Sequence, residues 1–267
     1  MTTENKIIIV THKDYIMPND SLYLPICVGK GIEKLKTKFQ SDNVGDNISQ
    51  KNKKYCELTG IYWAWKNIKA PFIGIAHYRR HYTLNKKSTS IDDVLTSEQL
   101  ECLLKEAPII VPTPKIYPFS SLKSHYINSK KGYGNVHKKD IEILGSAIDK
   151  LFPDYKNTFN KVMSNKRAHM LNMFIMRHDL FSDYCQWLFD ILNEVEREEM
   201  MREDQFRYIG ALSEFMLEIW LTHNDYKYKE VYLLELEKPS IIDKCSWIII
   251  RKYFKKPSNI FGADIRT

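Results

Sequence analysis

Apolar residues fall into short runs separated by stretches with helical spacing. Lys6 to Thr11 (Lys-Ile-Ile-Ile-Val-Thr) is fully apolar and β-branched, the pattern of a strand buried on both faces. A polar, proline-containing loop follows. Ser49 can then cap a helix running to about Asn67, with Tyr55, Leu58, Tyr62 and Trp65 three and four residues apart on one face. Phe72 to Ala76 reads as a second buried strand and ends abruptly in His77-Tyr-Arg-Arg80. Thr96 or Ser97 opens a short helix, and Ile109 to Val111 reads as a third strand, stopped by Pro112 and Pro114.

Residues 112–135 read as one long polar loop, of a length often used for lids. A helix is expected from about His137 to Leu151, carrying Ile141, Leu144, Ile148 and Leu151 in register. Met170 to Met176 reads as a strand, and Asp179 then caps a long amphipathic helix with Tyr184, Leu188, Ile191 and Val195. A further helix is expected from about Glu203 to Leu221, and Val231 to Leu234 is the last strand candidate. Strands alternating with helices predict an α/β fold with a mainly parallel sheet flanked by helices, in one domain over residues 1–238. The remaining residues, 239–267, are basic and aromatic. Trp247 to Ile250 precede Arg251, Lys252, Lys255 and Lys256 around Tyr253 and Phe254. That tail reads as an interfacial segment on an anionic inner-membrane surface, or as a docked helix with a solvated basic face.

Composition narrows the class. The chain has 267 residues, 43% hydrophobic and 27% charged, with only ten glycines and ten prolines, which excludes a disordered or fibrous protein. A net charge of +7 suits an anionic partner such as a nucleotide diphosphate or an acidic membrane, without requiring nucleic acid. The five cysteines are scattered and form no Cys-x-x-Cys, so neither a disulfide framework nor a structural zinc site is expected, and a cytoplasmic setting fits.

Ligands of open α/β sheets bind beyond the carboxyl ends of the strands. His77, Arg79 and Arg80 stand at such an end, where guanidiniums can fork onto a diphosphate; the alternative is pairing with a carboxylate such as Glu57. Asn47 and Ser49 stand at an expected helix N-terminus, as an anion site or as plain caps. Glu57 points away from the apolar stripe, to solvent or into the cleft. Arg207, Gly210 and Glu214 share one helical face, with ordinary surface pairing of Arg207 to Glu203 as the alternative. His169 and Asn172 flank the Met170–Met176 strand. No dinucleotide fingerprint, P-loop, zinc-protease or nucleophile-elbow motif is present, nor an Asp-x-Asp at a strand end.

Several segments taken in order carry a family resemblance: Asp46-Asn47-Ile48-Ser49, Asn52, Tyr55 to Thr59, Tyr62 to Asn67, Ile73-Gly74, His77 to Arg80, Asn172 to Met176, Tyr184-Cys185, Trp187 to Phe189 and Ser213-Glu214. Together they resemble the bacterial family catalogued as domain of unknown function 4422, over Lys6 to about Asn224. One departure is Phe215, at a position expected to be basic in relatives. The resemblance implies a GT-A-like glycosyltransferase of capsule, exopolysaccharide or O-antigen synthesis. Such an enzyme would use a UDP-sugar donor and a lipid-linked saccharide acceptor, with galactofuranose as one sugar in view. On that reading Glu214, Arg79 and Arg80 are the catalytic candidates, with Asp204 and His169 as weaker bases. His77, Asn47, Asn52, Glu57, Arg207 and Asn172 are the donor-binding candidates, and no metal cofactor is expected. The alternative is a non-catalytic binder of polyanions or nucleic acid.

Overall fold

The computed structural model describes residues 4–128, 136–198 and 207–237. Residues 129–135, Asp204 and the tail from 239 lie outside that range, so the expected tip of the long loop and the membrane reading of the tail are not described. The strands are β1 (Lys6–Thr11), β2 (Tyr23–Cys27), β3 (Gln40–Ser41), β4 (Phe72–His77), β5 (Arg80–Thr83), β6 (Ile109–Pro112), β7 (Lys115–Ile116), β8 (Arg167–Ala168), β9 (Phe174–Arg177) and β10 (Lys229–Glu235). The helices are α1 (Ile32–Leu35), α2 (Asn52–Tyr55), α3 (Leu58–Asn67), α4 (Ser97–Leu104), α5 (Leu122–Asn128), α6 (Lys138–Leu151), α7 (Lys156–Ser164), α8 (His178–Glu198), α9 (Tyr208–Ser213) and α10 (Met216–Asn224).

The α/β class holds, but the sheet is mixed, not mainly parallel. Strands β3, β2, β1 and β4 are parallel neighbours; the apolar runs predict β1 and β4, whereas β2 and β3 lie in the stretch expected to be a polar loop. Beyond β4 the direction changes. β9 runs antiparallel to both β4 and β6, and β5 runs antiparallel to β4 and β10, while β6 and β10 are parallel. The cause is a tight reversal after β4: His77 faces Arg80 across a two-residue turn made by Tyr78 and Arg79. The buried strand therefore does not simply end at His77. It folds back, and the return strand carries Arg80 along the sheet.

Ile7, Ile8 and Ile9 of β1 and Ile73 and Ile75 of β4 are fully buried and form the sheet's centre. Helix α3 packs against β1 and α8, and α8 against β4 and β9. Trp65 of α3 stacks on Phe189 of α8, with ring centroids 5.9 Å apart.

Two helices expected to be continuous are broken. The Ser49–Asn67 segment is a 3₁₀ turn (Ser49–Lys51) followed by α2, then a break at Cys56 with φ of 52°, then α3. The Asn52 amide stitches that break, donating to the Cys56 carbonyl (2.8 Å) and the Thr59 hydroxyl (3.0 Å). The Glu203–Leu221 segment likewise resolves, from residue 207 on, into α9 and α10, separated at Phe215. Within the expected 112–135 loop, β7 pairs with β8 as a separate two-stranded sheet and α5 follows.

Gly31 fixes how β1 leaves the sheet. A Cβ there would lie 2.6 Å from the His12 Cα and 2.8 Å from its carbonyl atoms, and backbone cannot give way as a side-chain tip does. Gly31→Ala is expected to cost about 1–3 kcal/mol, the usual range for overpacking, read as a lower denaturation midpoint with unchanged slope. An unchanged midpoint would show that His12 moves freely.

Candidate active site

The chain turns at the carboxyl ends of β1 and β4, and side chains from distant segments meet there. After β1, the Thr11 hydroxyl donates to the Lys13 carbonyl (2.6 Å) and accepts from the Lys13 amide (3.1 Å), a closed local turn that presents His12. The His12 ring lies edge-on to Tyr78 (5.3 Å), and the Arg79 guanidinium lies 4.9 Å from the centre of the same tyrosine ring. Burial, together with the charges of Lys13, Arg79 and Arg207, holds the His12 imidazole below its ordinary pKa. This is the electropositive side of the site.

On the other side, polar groups converge on Glu57, the residue before α3. The Asn172 amide donates to Glu57 Oε1 (2.9 Å) and to the Ser213 hydroxyl (2.9 Å), and Ser213 donates to the Gly210 carbonyl (2.7 Å). Asn172 is buried in a left-handed conformation (φ 52°), as is Leu171 before it (φ 79°). Two consecutive strained residues just before β9 are the kind of backbone found at functional sites. They turn the Leu171 carbonyl onto His77 Nε2, 2.7 Å away. A carbonyl only accepts, so Nε2 carries the proton and Nδ1 keeps its lone pair in the neutral ring. Burial lowers the His77 pKa, with Arg80 acting in the same direction and Glu57 opposing it.

Glu214 sits at the end of α9 and accepts a hydrogen bond from the Tyr126 hydroxyl of α5 (3.0 Å). Burial raises its pKa, Lys115 lowers it, the nearby Glu57 raises it, and Tyr126 and Arg80 lower it. Lys115 of β7 is itself pushed down by burial, against the pull of Glu214 and Glu235. A carboxyl raised by desolvation and two cations within its field form the arrangement from which a general base and a charge clamp can be built.

The two arginines are each tied to a carboxylate on or just past the neighbouring strand, β10. Arg79 donates to Glu237 (2.5 Å), and Arg80 Nε donates to Glu235 (3.4 Å), its direct partner in the β5–β10 register. Both side chains keep about a third of their surface exposed (36% and 37%), so an incoming anion can compete for them. The carboxylate partners are thus on β10 and beyond, not Glu57.

The sequence candidates divide into two groups. Glu57, His77, Arg80, Asn172 and Glu214 are joined by hydrogen bonds or by mutual charge, and Arg79 and Arg207 act together on His12. Asn47 and Asn52 are bound within the protein. Asn47 bridges the Gly45 carbonyl (2.7 Å) and the Ser49 amide (3.2 Å), while Asn52 holds the helix break. Ser49 donates to Asp42 (2.7 Å), and Ile48 precedes the 3₁₀ turn in the cap position. Gly210 lets the Cys56 side chain and the Tyr55 backbone approach: a Cβ would lie 3.1 Å from Cys56 Sγ and 3.2 Å from the Tyr55 carbonyl. Arg207 is left-handed (φ 60°) and its amide donates to the Lys53 carbonyl (3.0 Å). His169 lies between Glu218 (2.7 Å from Nδ1) and Glu230 (3.3 Å from Nε2). Phe215 is fully buried with its ring 5.0 Å from Tyr126.

Sequence reasoning missed Lys115, Tyr126 and His12. The rule that singled out His77 and Arg80, polar groups just past a buried strand, would have found His12 after β1. It would also have found Lys115 had the stretch after Pro114 not been read as plain loop.

The family described as "Domain of unknown function (DUF4422)" matches residues 6–225. Among solved structures, the "WbbM bifunctional glycosyltransferase" apo structure is similar, with a TM-score of 0.77 and 26% identity over 88% of this chain. The present chain spans 46% of that one, less than half its length. No curated protein matches.

Proposed function

The chain belongs to the DUF4422 family, and from that premise and the site geometry we propose that it is a glycosyltransferase. On this reading it takes the sugar of a UDP-sugar, galactofuranose being one such sugar, to a lipid-linked saccharide in capsule, exopolysaccharide or O-antigen synthesis. The structural neighbour is described as a bifunctional glycosyltransferase, which supports the transferase reading.

The observation that carries the reading is the pairing of one desolvated carboxyl, Glu214, with the cations Arg80 and Lys115 beyond the end of β4. Departure of UDP leaves negative charge on the diphosphate, and attack by the acceptor hydroxyl releases a proton. Preoriented cations meet the first need and a carboxylate within reach meets the second. Arg79, Arg207 and Lys13 around His12 would hold the donor phosphates. The Glu57–Asn172–Ser213 network and the His77–Leu171 bond would fix the walls of the donor site. Most transferases of this type balance the diphosphate with a divalent metal held by Asp-x-Asp. The sequence has no such pair at a strand end, and among the described residues no three His, Cys, Asp or Glu side chains converge as a metal site. On this reading Arg79, Arg80 and Lys115 balance the diphosphate charge, and a metal-independent transfer is part of the proposal. Among the described residues no helix is long and apolar enough to cross a membrane; on the proposed reading the lipid-linked acceptor is met at the inner membrane face.

A thermal-shift panel tests the donor class. UDP and UDP-sugars are expected to raise the melting temperature while GDP and CMP do not, because only a specific ligand stabilises by mass action. Transfer should survive EDTA. Activity abolished by chelation and restored by Mn²⁺ would overturn the metal-free chemistry. Equal stabilisation by every nucleotide, fading steeply with salt, would identify a non-catalytic polyanion binder instead.

A further inference from the structure

The small β7–β8 sheet projects a surface that the chemistry above does not use. Phe119 is 98% exposed and Ile116 is 69% exposed, the two most exposed large apolar side chains among the described residues. They are not loosely placed. The Tyr117 amide donates to the Lys166 carbonyl (2.7 Å), the Leu122 amide to the Asn165 carbonyl (2.8 Å), and Lys166 Nζ to the Pro118 carbonyl (3.4 Å). These bonds lash the 115–122 segment to the 165–167 segment and hold Phe119 outward.

The two strands' flanking segments are basic, with Glu142 and Asp149 across the depression lined by Ser121 and Lys123 and Glu230 beside Arg167 as the nearby acids. Residues 113–128 and 160–168 hold Lys115, Lys123, Lys161, Lys166 and Arg167 and not one Asp or Glu. Lys123, Lys161, Lys166 and Arg167 are exposed, and Arg167 reaches Glu230 at 3.3 Å. An exposed phenyl and sec-butyl group on a segment bonded to Lys166 and carrying Lys123 fit an acidic lipid surface, where apolar insertion and cation attraction act together and neither suffices alone. A second copy of the chain fits poorly, because a two-fold contact would set these lysines against themselves.

We propose that the Ile116–Phe119 tip, with Lys123, Lys161 and Lys166, is a contact surface for anionic lipid headgroups. None of its residues belongs to the 239–267 tail. The surface adjoins the active site, since β7 also carries Lys115 and α5 carries Tyr126, which bonds Glu214. The inference does not depend on the transferase reading, because lipid contact and nucleotide binding are measured separately.

The test is co-sedimentation of the full chain with vesicles of phosphatidylcholine alone or containing phosphatidylglycerol. Binding is expected to the phosphatidylglycerol vesicles and to weaken with salt. Ile116→Asp with Phe119→Asp, and separately Lys123→Glu with Lys166→Glu, should each lower the bound fraction about tenfold or more. That is the size expected from removing two cations at about 1 kcal/mol each near an acidic surface. Melting temperatures within a few degrees of the parent will show that the variants are folded. No vesicle binding by the parent chain, equal binding to both vesicle types, or unchanged binding by both variants would overturn the proposal. The last outcome would move the contact to another part of the chain.

Discussion

Glu214→Gln is expected to cut kcat by about 100-fold or more, the usual contribution of a positioned general base, while weakening UDP-sugar binding far less. The carboxyl is desolvated at the end of α9, close to Lys115, Glu57 and Arg80, and held by the Tyr126 hydroxyl. Glutamine keeps the shape and can still accept from Tyr126, but it cannot take a proton. The pH profile supplies a second readout. Burial raises the Glu214 pKa, so the base form is lost at a higher pH than for an ordinary glutamate. Activity should fall on the acidic side through that raised value, and the glutamine variant should lose this limb of the profile.

Stability should move the other way. A carboxyl whose pKa is raised on folding favours the folded state below its unfolded pKa. That contribution is lost as pH rises through the folded value, so at neutral pH the charge is a cost. Glu214→Gln should therefore melt no lower than the parent at pH 7. A variant that is inactive because it is unfolded would fail this comparison. Near-normal turnover would move the base elsewhere, with His169 next in line. That residue is buried and already held between Glu218 and Glu230.

What could be read from the sequence follows from how local each signal is. β1 is a β-branched run and β4 a short apolar one, and α6 and α8 hold their apolar stripes over 14 and 21 residues; all four stand where the pattern puts them. β2 was hidden because Pro25 interrupts its five residues, although β2 meets β3 only beyond that proline, at Ile26 and Cys27. The reversal at Tyr78-Arg79 contains no glycine, asparagine or proline, so nothing in its composition marks it as a turn. The break at Cys56 depends on a left-handed non-glycine residue, and the break at Phe215 lacks glycine and proline too. The mixed sheet follows from these reversals and from β9 entering between β4 and β6. That pairing is between segments about a hundred residues apart, which no local pattern encodes.

The site divides along the same line. His77, Arg79 and Arg80 were legible because they follow a buried strand directly. Glu57 was left open between solvent and cleft, since only the fold brings it to Asn172, 115 residues away. Asn47 and Asn52 show the converse. Their polar side chains beside helix starts looked like ligand groups, and the backbone of the 45–59 segment occupies them.

Arg80→Ala is expected to lower kcat on the order of 100-fold, as is Arg79→Ala, each more than it weakens donor binding. One preoriented charge contact to a leaving group is typically worth about 3 kcal/mol in a water-poor cleft. The two arginines differ in what else they touch, and this separates their roles. Arg80 is strand-bound, with its backbone in register with Glu235, and its charge lowers the pKa of both Glu214 and His77. Removing it should raise the Glu214 pKa further, shifting the acidic limb of the rate profile toward higher pH. Arg79 occupies the turn, bonds Glu237 and acts on His12 instead, so its loss should lower the rate and leave that limb in place. Arg80→Lys keeps the charge but loses the planar fork, and recovery should be partial for that reason. Glu235→Gln tests the assignment from the opposite side. Freed from its carboxylate partner, Arg80 should bind UDP at least as tightly as before, with rate unimpaired. If instead Arg80→Ala left kcat intact while Glu235→Gln and Arg80→Ala destabilised the fold equally, the pair would be a strand clasp, and Lys115 would remain as the cation acting most strongly on Glu214.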